Sequence, residues 1–292
     1  MREAFIKEAH DILDEDPRVA LVLAEISADP FAKALANHPD RAINVGIREQ
    51  LMIGVAGGLA LNGLRPIAHS YATFVVDRAY EQIKLDLKHQ GVGAILVSVG
   101  ASYDGSPMGY THMSPMDVSL IDTLPGWIVH TPGHPAEVGP LLRAATAHDE
   151  PVYLRLSTQT NATPHLDAMR LKVLRHSTSG RTIVAVGPML QPVLDAASDL
   201  DVTIAYTHTP RPFDHIGLRA IAGDAPDIVI VEPYLEGTSA HAVAESFPDK
   251  PFRLRSIGVK RQDLHRYGTP ADHATWHGLD AASLRPHLTP TP

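Results

Sequence analysis

Ile43-Asn-Val-Gly-Ile-Arg-Glu-Gln50 places one carboxylate, Glu49, just past a short apolar run and Gly46. A small-residue segment, Leu51-Met-Ile-Gly-Val-Ala-Gly-Gly-Leu-Ala60, follows at once. A strand that ends at a glycine and opens a tightly packed helix presents its first-turn carboxylate at the carboxyl edge of a sheet. Ligands of α/β proteins bind at that edge, and a carboxylate there can hydrogen-bond one. An acid in the first turn also favours the helix dipole, so the spacing alone leaves both roles open.

Three more groups carry possible chemistry. Tyr71 and Phe74, in His69-Ser-Tyr-Ala-Thr-Phe74, sit at a strand-to-helix junction, where two rings can hold a flat heterocycle or serve as ordinary core. Asp104-Gly-Ser-Pro-Met-Gly-Tyr-Thr-His112 follows a strand-like run, and a Gly- and Pro-rich loop there suits a functional histidine as well as a surface one. His273 and His277 have the i, i+4 spacing of a zinc pair, but the glutamate of the hydrolytic motif is absent and 17 histidines make chance pairs expected. No metal site is expected. There is no phosphate-binding loop of the G-x-x-x-x-G-K-[ST] type, no G-x-S-x-G elbow and no strand-borne G-x-G-x-x-G. Gly54, Gly57, Gly58 and Gly63 read as permitting close helix packing.

The elements that position these groups alternate. Strand-length apolar runs fall at 19–26, 42–47, 65–70, 92–99, 127–131 and 151–156, with helices expected at 49–62, 74–90, 115–123 and 135–148. Continuous apolar strands separated by helices indicate a mostly parallel sheet covered on both faces. Residues 157–180 break this rhythm, opening on the polar Ser157-Thr-Gln-Thr-Asn-Ala-Thr-Pro164, and 158–180 reads as a linker. A second alternation follows, with strands at 182–187, 202–206, 227–232 and 252–256 and helices at 189–200, 214–222 and 237–247. The fold class is therefore α/β, with two doubly wound domains at 1–157 and 181–292. Arg211-Pro-Phe-Asp214 and Glu232-Pro-Tyr-Leu-Glu-Gly237 read as loops without chemistry.

Composition narrows the function. The 292 residues are 44% apolar and 20% charged, as in soluble globular chains. The net charge of −8, from 25 basic and 33 acidic residues, argues against nucleic-acid and anionic-membrane partners. With no cysteine, disulfides, thiolate metal sites and cysteine nucleophiles are excluded. The amino-terminal segment lacks a signal-peptide core and no window reaches the length of a membrane span, so a cytoplasmic protein is expected.

Taken in order, these segments resemble the transketolase superfamily of thiamine diphosphate enzymes, including deoxyxylulose-phosphate synthase. The resemblance rests on Asn44–Gln50, Ala56–Ala60, Gly63–Pro66, Tyr71–Phe74, Arg78–Gln82, Gly109–His112 with Asp117, Pro132, Glu137, Pro151–Leu156, Arg266–Pro270 and Gly278–Asp280. It spans nearly the whole chain and implies a pyrimidine-binding domain followed by a transketolase C-terminal domain. The family's Gly-Asp-Gly segment, which serves diphosphate and Mg2+, is absent. The resemblance therefore implies one subunit of a split transketolase, completed by an N-terminal-type partner that holds the diphosphate and Mg2+, in an α2β2 assembly.

By the same resemblance Glu49 would bond N1′ of the aminopyrimidine, and Tyr71 and Phe74 would pack around that ring. His112 would touch substrate oxygens. Arg78 and Arg155 are candidates for anionic substrate groups, because guanidinium forks suit phosphate and carboxylate; for Arg155 a strand-end salt bridge is the competing role. Two departures bear on the substrate. Met108 stands where sugar-phosphate transketolases have an aspartate, and Thr158 where they have an arginine. The implied activity is transfer of a two-carbon ketol unit in carbohydrate metabolism, on a specialised substrate. The competing activities are a 2-oxoacid dehydrogenase β subunit, a decarboxylating ligase of the deoxyxylulose-phosphate synthase kind, and a non-catalytic regulatory subunit.

Overall fold

Val19–Leu23 (β1) is apolar and buried at all five positions, as a strand covered on both faces must be. In the computed structural model, which describes residues 1–290, it lies inside a six-stranded sheet of order β2-β1-β3-β4-β6-β5. The other strands are β2 (Ala42–Asn44), β3 (Arg65–Tyr71), β4 (Ile95–Val99), β5 (Ile128–His130) and β6 (Val152–Arg155), and every pairing is parallel. Helices α1 (Arg2–Glu15), α2 (Ala32–Asn37), α3 (Glu49–Leu61), α4 (Tyr80–Gln82), α5 (Asp117–Asp122) and α6 (Pro135–Thr146) accompany this sheet. One apolar cluster joins α1 and α6 to one side; another joins α3, α5 and the 73–89 segment to the other.

The segment expected as one helix over 74–90 is instead a π-helical turn at Thr73–Asp77, the single turn α4, and a second π-helical turn at Ile83–His89. Wide turns of this kind recur at functional sites. Close packing against α3 constrains the segment: a Cβ on Gly57 would lie 2.5 Å from the Asp86 carbonyl oxygen, so this helix glycine does serve backbone approach.

The second sheet has the order β11-β10-β8-β9-β7. Its parallel strands are β8 (Arg181–Val186), β9 (Thr203–Thr207), β10 (Asp227–Leu235) and β11 (Arg253–Val259), and the helices are α7 (Leu190–Ala196), α8 (His215–Ala222), α9 (Ala240–Glu245), α10 (Pro270–His277) and α11 (Ala281–Leu288). Two features depart from the sequence reading. The presumed linker contains β7 (Lys172–Arg175), which adds antiparallel to β9; its short polar pattern, half-buried throughout, carries no alternation to announce it. The Glu232-to-Leu235 stretch, read as loop, is the end of β10, where Pro233 is accommodated at an irregular register. Positions 291 and 292 of the expected second domain lie outside the described residues.

Both α/β units match the expected fold class, and one apolar cluster crosses between them, from Met52, Val118 and Trp127 to Val184, Ile230 and Phe247. Arg211 adds a bidentate pair to Asp122, with Nε–Oδ1 at 2.5 Å and Nη2–Oδ2 at 2.7 Å. Among the described residues no helix is long and apolar enough to cross a membrane.

Candidate functional site

Glu49 is the first residue of α3 and is 1% exposed. The turn that delivers it is fixed by Asn44, whose side-chain oxygen accepts from Gly46 N and from Glu25 N, both at 3.1 Å. Gly46 has φ +71°, a conformation that favours glycine. Glu25 and Ser27 also have positive φ, at 70° and 66°, so the loop after β1 is strained where it borders this turn. Sequence reasoning passed over Asn44 as a mere part of the motif; its type, after a strand and before a glycine, is a usable turn signal.

Arg78 Nη1 donates to Glu49 Oε2 at 2.7 Å. Glu49 Oε1 is buried and has no hydrogen-bond partner among the described residues. The π-helical turn, closed by Arg78 N on Thr73 O at 3.0 Å, sets Arg78 so that its guanidinium lies 4.1 Å from the Phe74 ring centroid. Phe74 in turn meets His112 edge-on at 5.2 Å, and Tyr71 meets His112 at 5.6 Å and Phe74 at 5.9 Å. Five residues separated by as many as 63 positions thus form one continuous cluster: Glu49, Arg78, Phe74, His112 and Tyr71. His112 closes a 3₁₀ turn at Tyr110–His112, and its Nδ1 lies 3.0 Å from Thr111 Oγ1.

Beside Tyr71, at the carboxyl ends of β3, β4 and β6, opens a cleft of about 300 Å³. A ligand site at this edge is what a parallel sheet provides. Met108 and Thr158, the two positions that depart from sugar-phosphate transketolases, both line it. Asp104 also lines it and accepts from Thr158 N at 2.8 Å; burial raises this carboxyl above its usual range. At its margin Arg2 donates to Ser27 Oγ at 2.8 Å, and Ser27 Oγ contacts His69 Nε2 at 2.9 Å. The other ring nitrogen of His69 donates to Val97 O at 2.9 Å, and burial holds the ring down to about 4. Asp104, Ser27 and His69 were not singled out from the sequence, since isolated polar residues in loops and strands give no periodic signal.

Arg155 does not join the cluster. Its Nε donates to Asp117 Oδ2 at 2.7 Å and its Nη2 to Ser102 Oγ at 2.6 Å, with both charged side chains at most 1% exposed. Of the two roles the sequence left open, the structure carries the buried salt bridge. Tyr153 Oη completes the group by donating to Asp117 Oδ2 at 2.7 Å. Asp77, at the end of the π-helical turn, accepts from Ser114 Oγ at 2.8 Å, and burial pushes its carboxyl up to about 7. His273 and His277 do lie on one helix, α10, but their rings pack on each other at 5.8 Å and on Tyr103.

The chain is similar to known proteins. Residues 1–163 match the transketolase pyrimidine-binding domain family. An uncharacterized 33.6 kDa protein in the fasciation locus of Rhodococcoides fascians is 51% identical over 289 residues, 97% of this chain and 92% of that protein. The 6-deoxy-6-sulfo-D-fructose transketolase subunit SqwH of a Clostridium species is 29% identical, covering 89% of this chain and 84% of that one. An apulose-4-phosphate transketolase subunit of Actinobacillus succinogenes is 28% identical, covering 97% and 94%. A solved split-gene transketolase, described as an inactive β4 tetramer, superposes with a TM-score of 0.83 at 25% identity, covering 98% and 96% of the two chains.

Proposed function

The chain belongs to the transketolase pyrimidine-binding domain family, and we propose that it is one subunit of a two-component, thiamine diphosphate-dependent transferase moving a two-carbon ketol unit. The observation that carries this reading is the buried, unpartnered Glu49 Oε1, joined through Arg78 to Phe74, Tyr71 and His112. A buried polar atom without a partner costs about 1–3 kcal/mol, which a ligand donor would recover. Glu49 is thus suited to N1′ of the aminopyrimidine, with Phe74 and Tyr71 against the ring. When bound, thiamine diphosphate would supply the nucleophilic carbon on which a two-carbon fragment is carried.

This chain's residues do the rest by placement. Arg78 holds Oε2 and so fixes the direction of Oε1. The Arg78 side chain is still 39% exposed, and an anionic substrate group suits its free edge. His112, with Nδ1 beside Thr111, is placed to donate to a substrate oxygen as charge develops on it. Met108 and Thr158 on one cleft wall favour a specialised substrate over a standard sugar phosphate. The relatives named for sulfofructose and apulose phosphate support that direction.

The diphosphate and Mg2+ are assigned to a partner subunit; the relatives named as transketolase subunits and the split-gene structure support that assignment. Ile47 and Leu51 flank Glu49 and are 72% and 47% exposed, and Leu61 on the same helix is 59% exposed. Apolar side chains left bare around a buried carboxylate suit burial against another chain, here in a cytoplasmic α2β2 assembly.

The test is reconstitution with a chain carrying Gly-Asp-Gly and a downstream Asn. Ketol transfer should require thiamine diphosphate, and Glu49→Gln should lower turnover by about 10²-fold or more with an unchanged circular dichroism spectrum. Near-normal turnover in that variant would end the assignment of Glu49. Release of CO2 from pyruvate without ketol transfer would replace the transferase by a decarboxylating enzyme, and no thiamine-dependent reaction with any partner would leave a regulatory role.

A further inference from the structure

The loop that carries His112 is held by the second α/β unit, not by the first alone. Tyr103 is 2% exposed, and its ring contacts those of His273 and His277 at 5.7 Å and 5.8 Å, within 18° and 14° of parallel. Ser106 Oγ donates to Gly268 O at 3.0 Å. Tyr267 packs on Gly109: a Cβ there would sit 2.8 Å from the Tyr267 Cε1. Gly109 has φ +90°, so the position requires glycine on conformational and steric grounds alike. The far side of these contacts is itself anchored, by His273 Nε2 to Tyr267 O at 2.5 Å and by Lys260 N donating to His277 Nδ1 at 3.2 Å.

Within the loop the displacement of one end must reach the other. A Cβ on Gly105 would lie 2.3 Å from the His112 carbonyl oxygen, so Gly105 is packed on the His112 backbone. Ser114 N donates to Ser102 O at 2.9 Å, closing the loop at its base next to Tyr103. The path from α10 to the His112 backbone therefore runs through packed rings, close backbone approach and hydrogen bonds, alongside a small cleft that Tyr103, His273 and His277 also line.

We propose that Tyr267, His273 and His277 of the second unit, acting through Tyr103 and Gly109, form a clamp that positions His112. They are positioning residues: none belongs to the Glu49 cluster. The kinetic consequence rests on the proposed transferase function, whereas the geometry can be tested without it.

His112 stands edge-on to Phe74 and Tyr71, so ring currents displace its Cε1–H nuclear magnetic resonance, which His112→Gln identifies by its disappearance. In the full chain, Tyr103→Leu should move that resonance at least halfway to its value in the unfolded chain, while Tyr103→Phe keeps it. Should Tyr103→Leu fail to fold, Tyr267→Ala decides, because that side chain is 68% exposed and its loss leaves the core intact. In the reconstituted pair the same variants should lower kcat roughly 10- to 100-fold with cofactor KM unchanged, and Tyr103→Phe should rescue. An unmoved His112 resonance in Tyr103→Leu, or in Tyr267→Ala where that variant decides, overturns the clamp. A moved resonance with no thiamine-dependent turnover from the unmodified pair keeps the clamp and removes the transferase reading.

Discussion

Replacing Arg155 by methionine removes the positive member of a pair in which neither charge reaches solvent. Three interactions are lost: Nε to Asp117 Oδ2 at 2.7 Å, Nη2 to Ser102 Oγ at 2.6 Å, and the guanidinium 5.6 Å from the Tyr234 ring centroid. Asp117 keeps two partners, Tyr153 Oη at 2.7 Å and Val118 N at 2.8 Å. Breaking a buried pair from one side costs about 3–5 kcal/mol, because an uncompensated charge stays behind. The two remaining hydrogen bonds put Arg155→Met near the lower end, about 3 kcal/mol, or more than a 100-fold rise in the unfolding constant. Urea unfolding followed by circular dichroism measures it from the midpoint at constant slope. The double variant Asp117→Leu, Arg155→Met should regain much of the loss, since removing both charges removes the desolvation penalty with them. A single-variant loss under about 1 kcal/mol, accompanied by a large fall in turnover, would refute the reasoning and return Arg155 to the substrate.

The remaining expectations follow from burial and backbone approach. The Asp77 carboxyl, raised to about 7 in the folded chain, retains its proton between the unfolded value near 4 and that point. The folded state binds more protons there, so stability should fall as pH rises from about 4 to 7, and Asp77→Asn should flatten that slope in unfolding measured across the range. His69 is held down to about 4, so its contribution is complete above about 6.5 and lost as pH falls toward 4; nitrogen-15 spectra at pH 5 should show a neutral ring protonated on Nδ1. A positively charged His69 at that pH would contradict the burial that keeps the ring neutral. Gly57→Ala puts a methyl 2.5 Å from the Asp86 carbonyl oxygen and should cost about 1–3 kcal/mol in thermal or urea unfolding; a neutral effect would mean that α3 and the 83–89 turn can separate freely.

Much of the fold is legible in the sequence, for identifiable physical reasons. Parallel strands buried on both faces are continuous apolar runs, so β1, β4 and β8 stand out in the sequence. Tyr71 ends a strand and Glu49, Phe74 and His112 follow one, which is where a parallel sheet carries its chemistry. Elements with no such signature were missed. β7 is a short polar edge strand whose only evidence is its partner β9, 29 or more residues away in its register. The π-helical turn at 73–77 has the apolar content of an α-helix, and only packing against α3 and β3 distinguishes it.

Local order along the chain thus determined the α/β class, the alternation in both units and the strand ends that bear Glu49, Tyr71, Phe74 and His112, because hydrophobic period and turn chemistry act over a few residues. Partner choice among the charged and aromatic groups was decided only in three dimensions. Arg78 and Arg155 are both arginines near the same sheet edge, yet one reaches Glu49 and stays partly exposed while the other is sealed against Asp117. The contact of α10 with the His112 loop belongs to the same class, joining residues more than 160 apart. Such choices depend on which groups lose water together, and burial is a property of the packed molecule, not of any stretch of it.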